Sequence, residues 1–283
     1  MHREKPGAII FEIHCQMGEP EQCAGMRNNM KYLRFEADGN EKYGILNGEE
    51  ITEIEGSIFD SPAETDTKYG LGDVKLLAPC KPGKIVAVGL NYVAHVNEFS
   101  GRDIPENPVI FIKLPHTVIG HGDSIKLPAI SKRVDYEAEF AVVIKKHCSN
   151  IEPQQAPEYI LGATCLNDVT ARDIQKADGQ WTRGKNYETF CPIGPYIVTG
   201  LDFSRLDIKL ILNGQVKQHG NTSMQIFKLD QLISFISRVI PLEPGDIVTT
   251  GTPEGVGPLK PGDIVEVEIE GVGKLTNPVA GEE

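Results

Sequence analysis

The sequence predicts an α+β chain dominated by strand: a roll or barrel of short β-elements with few helices, preceded by a small N-terminal β domain. Three observations carry this. Asn47-Gly48 and Asn213-Gly214 mark tight hairpins between apolar segments. The turn-into-strand device Pro244-Gly245-Asp246-Ile247-Val248 recurs as Pro261-Gly262-Asp263-Ile264-Val265. Clean helical spacing is found at Leu229, Leu232, Ile233, Ile236 and Ile240, whose apolar stripe reads as core rather than as a cofactor box.

Residues 1–29 lack either period and read as a poorly ordered extension. The apolar patch Ala8-Ile9-Ile10-Phe11 is cut by Glu12 and His14 and does not make a signal peptide. His14, Cys15 and Cys23 match no zinc spacing. From Met30 the alternation Lys31-Tyr32-Leu33-Arg34-Phe35-Glu36, a Gly39-Asn40 turn and a returning strand through Leu46 open the N-terminal domain, placed at 30–78. Pro62 to Gly72 is polar and turn-rich and is expected to be a linker. The larger domain then occupies 79–283.

With 40 acidic and 28 basic residues the net charge is -12, which argues against nucleic acid or an anionic membrane as partner. No run reaches the roughly 18 apolar residues of a membrane helix. Six cysteines without a Cys-x-x-Cys pair indicate reduced thiols and a cytoplasmic protein.

Within the larger domain, Lys84 to Gly89 is a buried strand. Gly89 does not start a dinucleotide loop, because the second and third glycines are missing. His95 and Glu98 follow at a spacing of three. On a helix they share a face, and the carboxylate can orient the imidazole and raise its basicity; the alternative is a surface pair. Ser100 to Pro108 has the composition of a mobile loop that could carry the pair as a lid.

The stretch Asp135 to Ile144 reads as one strand on which Glu137 and Glu139 share a face while Tyr136, Ala138 and Phe140 share the other. Two like charges side by side need open water or a cation, and the apolar continuation through Val142, Val143 and Ile144 favours the cation. Asp168, ending the run Leu161 to Asn167, is the next carboxylate. A ligand set made only of carboxylates suits Mg²⁺, with Mn²⁺ or Ca²⁺ as alternatives, rather than Zn²⁺. Taken alone, a Glu-x-Glu pair is more often a solvated face.

Five motifs in order then give a specific resemblance: Gly-x-Asn-Tyr-x-x-His-x-x-Glu at 89–98, Glu-x-Glu at 137–139, Asn-Asp-x-Thr-Ala-Arg-Asp-x-Gln at 167–175, Gly184-Lys185, and Gly-Thr-Pro-x-Gly-Val-Gly at 251–257. From about Lys81 to the C-terminus the chain resembles the fumarylacetoacetate hydrolase family, in particular its shorter acylpyruvase- and isomerase-like members. The resemblance implies a mixed β-roll, a homodimer, and one divalent cation per site held by Glu137, Glu139 and Asp168. It implies His95 with Glu98 as catalytic dyad, Lys185 assisting, and Arg172, Gln175 and Thr252 as substrate contacts. The aspartate ligand that the founding hydrolase carries upstream of its histidine is absent here, and water is expected in its place.

The residues agree with these roles while leaving plainer readings open. Arg172 and Gln175 are i, i+3 on a helix that would start after Asp168 and could meet a carboxylate, or lie on an exposed turn. Lys185 could be a surface lysine. Thr252 and the glycines around it could offer a hydroxyl and N–H groups to an anion, or form an ordinary turn. The activity expected is metal-dependent hydrolysis of a C–C bond in an acylpyruvate such as fumarylpyruvate, a small anionic 2-oxo acid of aromatic catabolism. The alternatives on the same site are a dienedioate isomerase and a decarboxylase of oxaloacetate or of an oxopentene tricarboxylate. A metal-binding protein without catalysis is the remote alternative, and it would leave His95, Glu98 and Lys185 without a role.

Overall fold

A computed structural model describes residues 29–98 and 103–281. The expected N-terminal extension, apart from Asn29, and the first part of the expected lid loop lie outside them.

The N-terminal unit contains β1 (Lys31–Ala37), β2 (Asn40–Asn47), β3 (Glu50–Glu55), β4 (Ala63–Gly70) and β5 (Lys75–Leu77). The chain continues through β6 (Ile85–Gly89), α1 (Val93–Asn97), β7 (Val109–Lys113), β8 (Val118–Ile119) and β9 (Ile125–Leu127). Then come β10 (Val134–Tyr136), β11 (Ala138–Ile144), β12 (Ile160–Asn167), β13 (Thr170–Ala171), α2 (Arg172–Asp178), α3 (Thr182–Lys185) and β14 (Cys191–Val198). The last third supplies β15 (Asp207–Leu212), β16 (Gln215–Asn221), α4 (Leu229–Ser237), β17 (Ile247–Thr249), β18 (Gly257–Pro258), β19 (Ile264–Ile269) and β20 (Gly273–Gly281). The expected strand-rich α+β roll is what forms.

One large mixed sheet runs in the order β4-β3-β2-β1-β14-β12-β11-β17-β6-β7. A five-stranded sheet, β16-β15-β19-β20-β9, covers it, and β13-β10-β18 forms a small third sheet. Alternation along β11 explains why a nearly unbroken apolar run sits at the centre. Ala138, Phe140, Val142 and Ile144 enter the core shared with Ile208, Leu210, Val265 and Val267. Ala141 and Val143 point the other way, into a second core with Ile85, Ile193 and Ile247. A strand buried on both faces has no place for a polar face, so it reads as continuous Val, Ile and Phe.

The N-terminal unit is joined to this sheet rather than hung from it. β1 pairs with β14, Tyr32 opposite Ile197. Tyr32, Ile45 and Ile54 pack into the core that contains Ile193 and Ile197. Leu33, Phe35, Leu46 and Ile51 form a small core on the other face.

The segment expected to be a linker is instead the outermost strand, β4, paired with β3. No residue of β4 is fully buried: Tyr69 packs at the edge of the Phe35 core while Glu64, Asp66 and Lys68 are exposed, so the run shows little apolar alternation, and such charges protect an open edge from pairing with another chain. A second correction concerns the strand expected over 135–144, which breaks at Glu137 into β10 and β11. α4 buries Leu232, Ile233 and Ile236 as expected and ends at Ser237, so Ile240 lies beyond it. Among the described residues no helix is long and apolar enough to cross a membrane.

Candidate metal centre and catalytic cleft

The antiparallel register of β11 and β12 builds the centre of the site. Ala138 stands opposite Asn167, which brings Glu137 and Asp168 together where the two strands end. The break after β10 is pinned on both sides: the Glu137 N–H donates to Asn167 Oδ1 at 2.9 Å, and the Asp168 N–H donates to the Glu137 carbonyl at 2.9 Å. Glu139 shares the face of Glu137, two residues on. One carboxylate oxygen from each of Glu137, Glu139 and Asp168 lies within 4.8 Å of the others. The three residues are 4%, 2% and 0% exposed, so the pair is not a solvated face.

Cations surround two of the three acids. Lys185 Nζ donates to Glu137 Oε2 at 2.8 Å and also to Asp168 Oδ2. Lys113, fully buried at the end of β7, donates to Asp168 Oδ1 at 2.6 Å and to the Lys185 carbonyl at 2.7 Å. Arg172 pairs through Nη2 with Glu137 and through Nε with Asp135 at 2.8 Å. Burial opposes the charge on Glu137, but Lys185 and Arg172 outweigh it and hold that carboxyl below the usual range. Glu139 differs. Its Oε2 accepts from the Thr249 hydroxyl and, at 3.0 Å, from the Gly251 N–H, and among the described residues it has no ion-pair partner. Burial, followed by the charges of Asp168 and Glu137, pushes its carboxyl well above the ordinary value.

The triad therefore fits a hard divalent ion. It offers three converging carboxylate oxygens with neither thiol nor imidazole among them, and one of the carboxylates has no cation to balance it.

α1 and the 251–257 loop carry the second part of the site. His95 Nδ1 meets Glu98 Oε2 at 2.8 Å, and Glu98 Oε1 accepts the Gly255 N–H at 2.7 Å. The spacing of three thus forms a real pair, and His95 is buried rather than on the surface. Burial raises the Glu98 pKa, but the bonds from His95 and Gly255 more than offset it and leave the carboxyl lowered. A ring whose Nδ1–H is donated to a carboxylate presents Nε2 as its basic nitrogen. Gly251, at φ 89°, is a glycine for two reasons: the positive φ, and a Cβ that would lie 2.9 Å from that of Asn91.

All nine residues singled out in the sequence are brought into this region, and all but Glu98 line one cleft. Three of them also have partners within the protein. Arg172 and Gln175 bond each other at 2.7 Å, with the guanidinium turned to the acids rather than held out alone. Thr252 Oγ1 accepts from Gln218 Nε2 at 2.8 Å. The N–H groups of Gly251 and Gly255 meet the protein's own carboxylates, Glu139 and Glu98. The lining also includes Val88, Leu90, Phe111 and Trp181, and the Phe111 ring lies 5.0 Å from Lys185 Nζ. The space left is about 40 Å³, where one water position takes about 10–15 Å³, so the inner cleft suits a small head group.

Lys113, Asp135, Thr249, Gln218 and Trp181 were not visible as site residues in the sequence. The one available signal was a lysine closing the apolar run Val109-Ile110-Phe111-Ile112, where a strand entering the core has no use for an unpaired charge.

Comparison with known proteins agrees with this geometry. Residues 84–280 match the family model described as fumarylacetoacetate (FAA) hydrolase C-terminal, and residues 30–79 match Rv2993c-like, N-terminal. A protein of Archaeoglobus fulgidus is 55% identical over 230 residues, covering 78% of this chain and 92% of that one. The rat mitochondrial oxaloacetate tautomerase Fahd2a is 44% identical over 218 residues, 73% of this chain and 69% of its own. The crystal structure of 5-carboxymethyl-2-hydroxymuconate delta-isomerase from Mycobacterium smegmatis superposes with a TM-score of 0.85 at 42% identity, over 89% of this chain and 100% of that chain.

Proposed function

The chain belongs to the fumarylacetoacetate hydrolase family, and on that premise we propose that it is a divalent-metal enzyme that moves a proton at the carbon beside the keto group of a small 2-oxo acid. This is tautomerase or isomerase chemistry. The observation that carries it is the meeting, in one cleft, of a buried carboxylate triad with a carboxylate-oriented histidine that is not part of the triad.

Glu137, Glu139 and Asp168 hold the ion, Mg²⁺ in this reading, with Mn²⁺ or Ca²⁺ suited to the same donors. When bound, the ion polarises the keto oxygen and stabilises the negative charge left as the proton departs. His95 accepts that proton through Nε2 and returns it at the other end of the conjugated system, while Glu98 fixes the ring and stabilises its charged form. Lys185 keeps Glu137 and Asp168 oriented and places a positive charge beside the developing enolate. Arg172, Gln175 and Thr252 position the substrate from the α2 and loop sides of the cleft. The names of the rat and mycobacterial relatives support this order of preference.

The same dyad supports a second reading, hydrolysis of acylpyruvates such as fumarylpyruvate, because His95 can take its proton from water instead of carbon. Water then adds to the distal carbonyl and the C–C bond breaks. Its electron pair stays on the 2-oxo acid part as an enolate, which is reprotonated. A decarboxylase would reach that enolate by losing CO₂.

The test is incubation with Mg²⁺ and a panel of enol and keto 2-oxo acids, dienedioates, oxaloacetate and acylpyruvates. Loss of enol absorbance with no change in mass is the expected result. Pyruvate with a free acid would move the assignment to hydrolase, and CO₂ to decarboxylase. Undiminished activity in excess chelator would overturn the metal reading.

A further inference from the structure

We propose that Gln218 is a positioning residue for substrate binding: it holds the Thr252 hydroxyl as an acceptor toward itself and so fixes it as a donor toward a carboxylate oxygen of the 2-oxo acid. The inference rests on reading the cleft as a 2-oxo acid site and names how one contact within it is set.

Gln218 stands on β16, the edge strand of the five-stranded sheet, where it and Gly220 are buried on one face. A Cβ at Gly220 would lie 2.6 Å from that of Pro253, so this face of β16 is where the 251–257 loop packs. The Gln218 amide ties that loop to the strand that carries Glu139. Its Oε1 accepts the Ala138 N–H at 2.9 Å. Its Nε2 donates to Thr252 Oγ1 at 2.8 Å and to the Pro253 carbonyl at 2.8 Å. Turned end for end, the amide would set its N–H₂ against the Ala138 N–H and its oxygen against the Pro253 carbonyl, so only one orientation satisfies all of its partners.

Both Nε2 hydrogens are then used, and the Thr252 hydroxyl, faced by a donor, must accept. Its own proton points elsewhere. Thr252 is buried, lines the cleft together with the triad and His95, and among the described residues nothing accepts that proton. A carboxylate entering the cleft therefore meets a hydroxyl that cannot turn its lone pairs toward it. The plain alternative is that Gln218 only fastens the loop to the sheet. The two roles differ in one respect. A fastener acts whether or not residue 252 carries a hydroxyl, whereas a positioning residue acts through that hydroxyl alone.

The experiment is a calorimetric titration of the Mg²⁺-saturated protein with pyruvate. A hydrogen bond to a charged group contributes about tenfold in affinity. Thr252→Val should raise the Kd by about that factor, and Thr252→Ser, which keeps the hydroxyl, should restore it. Gln218→Glu, whose carboxylate accepts where the amide donates, should draw the hydroxyl proton inward and raise the Kd by a similar factor. Gln218→Met, which removes the partner without capturing the proton, should lose less. In the Thr252→Val background Gln218→Met should add nothing, and this neutral cycle decides alone if Gln218→Glu fails to fold. Losses that add in the double variant, a Gln218→Met loss as large as that of Gln218→Glu, or unchanged affinity in Thr252→Val would overturn the proposal and leave the 2-oxo acid reading standing. A wild-type protein that binds no pyruvate would overturn both.

Discussion

Replacing Glu139 by glutamine should stabilise the metal-free protein and remove its response to magnesium. Glu139 is buried, has no ion-pair partner among the described residues, and lies within 4.8 Å of the Glu137 and Asp168 carboxylates. At that distance each like-charge contact costs about 3 kcal/mol with an effective dielectric near 20. Protonation of Glu139 already relieves part of this, because burial and its two acidic neighbours raise its carboxyl well above 4.5. Glutamine keeps an oxygen for the Thr249 hydroxyl and the Gly251 N–H and turns an amide N–H₂ toward the other acids. The net gain in chelator should be about 1–3 kcal/mol, or roughly 2–6 °C in Tm. The pH dependence fixes the sign. A carboxyl raised in the folded state binds more protons folded than unfolded, so wild-type stability falls as pH climbs from about 4.5 toward the folded value. The advantage of the variant should therefore be small near pH 4 and grow toward neutrality. At 100 times its Kd, Mg²⁺ should stabilise the wild type by about 2.7 kcal/mol, and the variant by nearly nothing. Urea unfolding with chelator and with Mg²⁺, at several pH values, measures all of this. A variant less stable than wild type in chelator at neutral pH, or one that gains as much from Mg²⁺, would refute the reasoning.

His95→Ala should lose about 10²- to 10⁴-fold in rate while keeping its Mg²⁺ affinity in calorimetry; a loss of affinity like that of Glu137→Ala would make His95 a ligand instead. Lys113→Met should cost about 3–5 kcal/mol in chelator, the usual penalty for breaking a buried pair, because Asp168 Oδ1 and the Lys185 carbonyl lose their donor; a cost under about 1 kcal/mol would contradict this, since even an ordinary net hydrogen bond contributes that much. In Gly89→Ala the new Cβ would sit 2.5 Å from the Trp181 ring, so the ring must move and the protein should lose about 1–3 kcal/mol. Unchanged Trp181 emission together with unchanged stability would tell against that packing.

What could be read from the sequence was what lies on one strand or one helical turn. Glu137 with Glu139, and His95 with Glu98, are separated by the period of their own element, so residue order alone carries their geometry. Asp168 was legible because it ends an apolar run as the pair begins one. Lys113 and Thr249 reach the acids from β7 and β17, whose place near β11 depends on the order of strands in the sheet, and no local pattern encodes that order. β4 was misread for the opposite reason: an outermost strand whose apolar contact with the core comes from Tyr69 gives little alternation to find.

The place of β17 has a consequence for how the chain acquires its shape. Residues 247–249 lie between β6, from residues 85–89, and β11, from residues 138–144, bonding to both. The central strand pairing thus cannot close until residues 247–249 have emerged from synthesis. Until then β6 and β11 have unpaired, strongly apolar edges, which are sites for aggregation. Contacts of such long sequence separation make folding slow. A C-terminal truncation before Ile247 should leave no partial enzyme, only a chain that binds chaperones or precipitates.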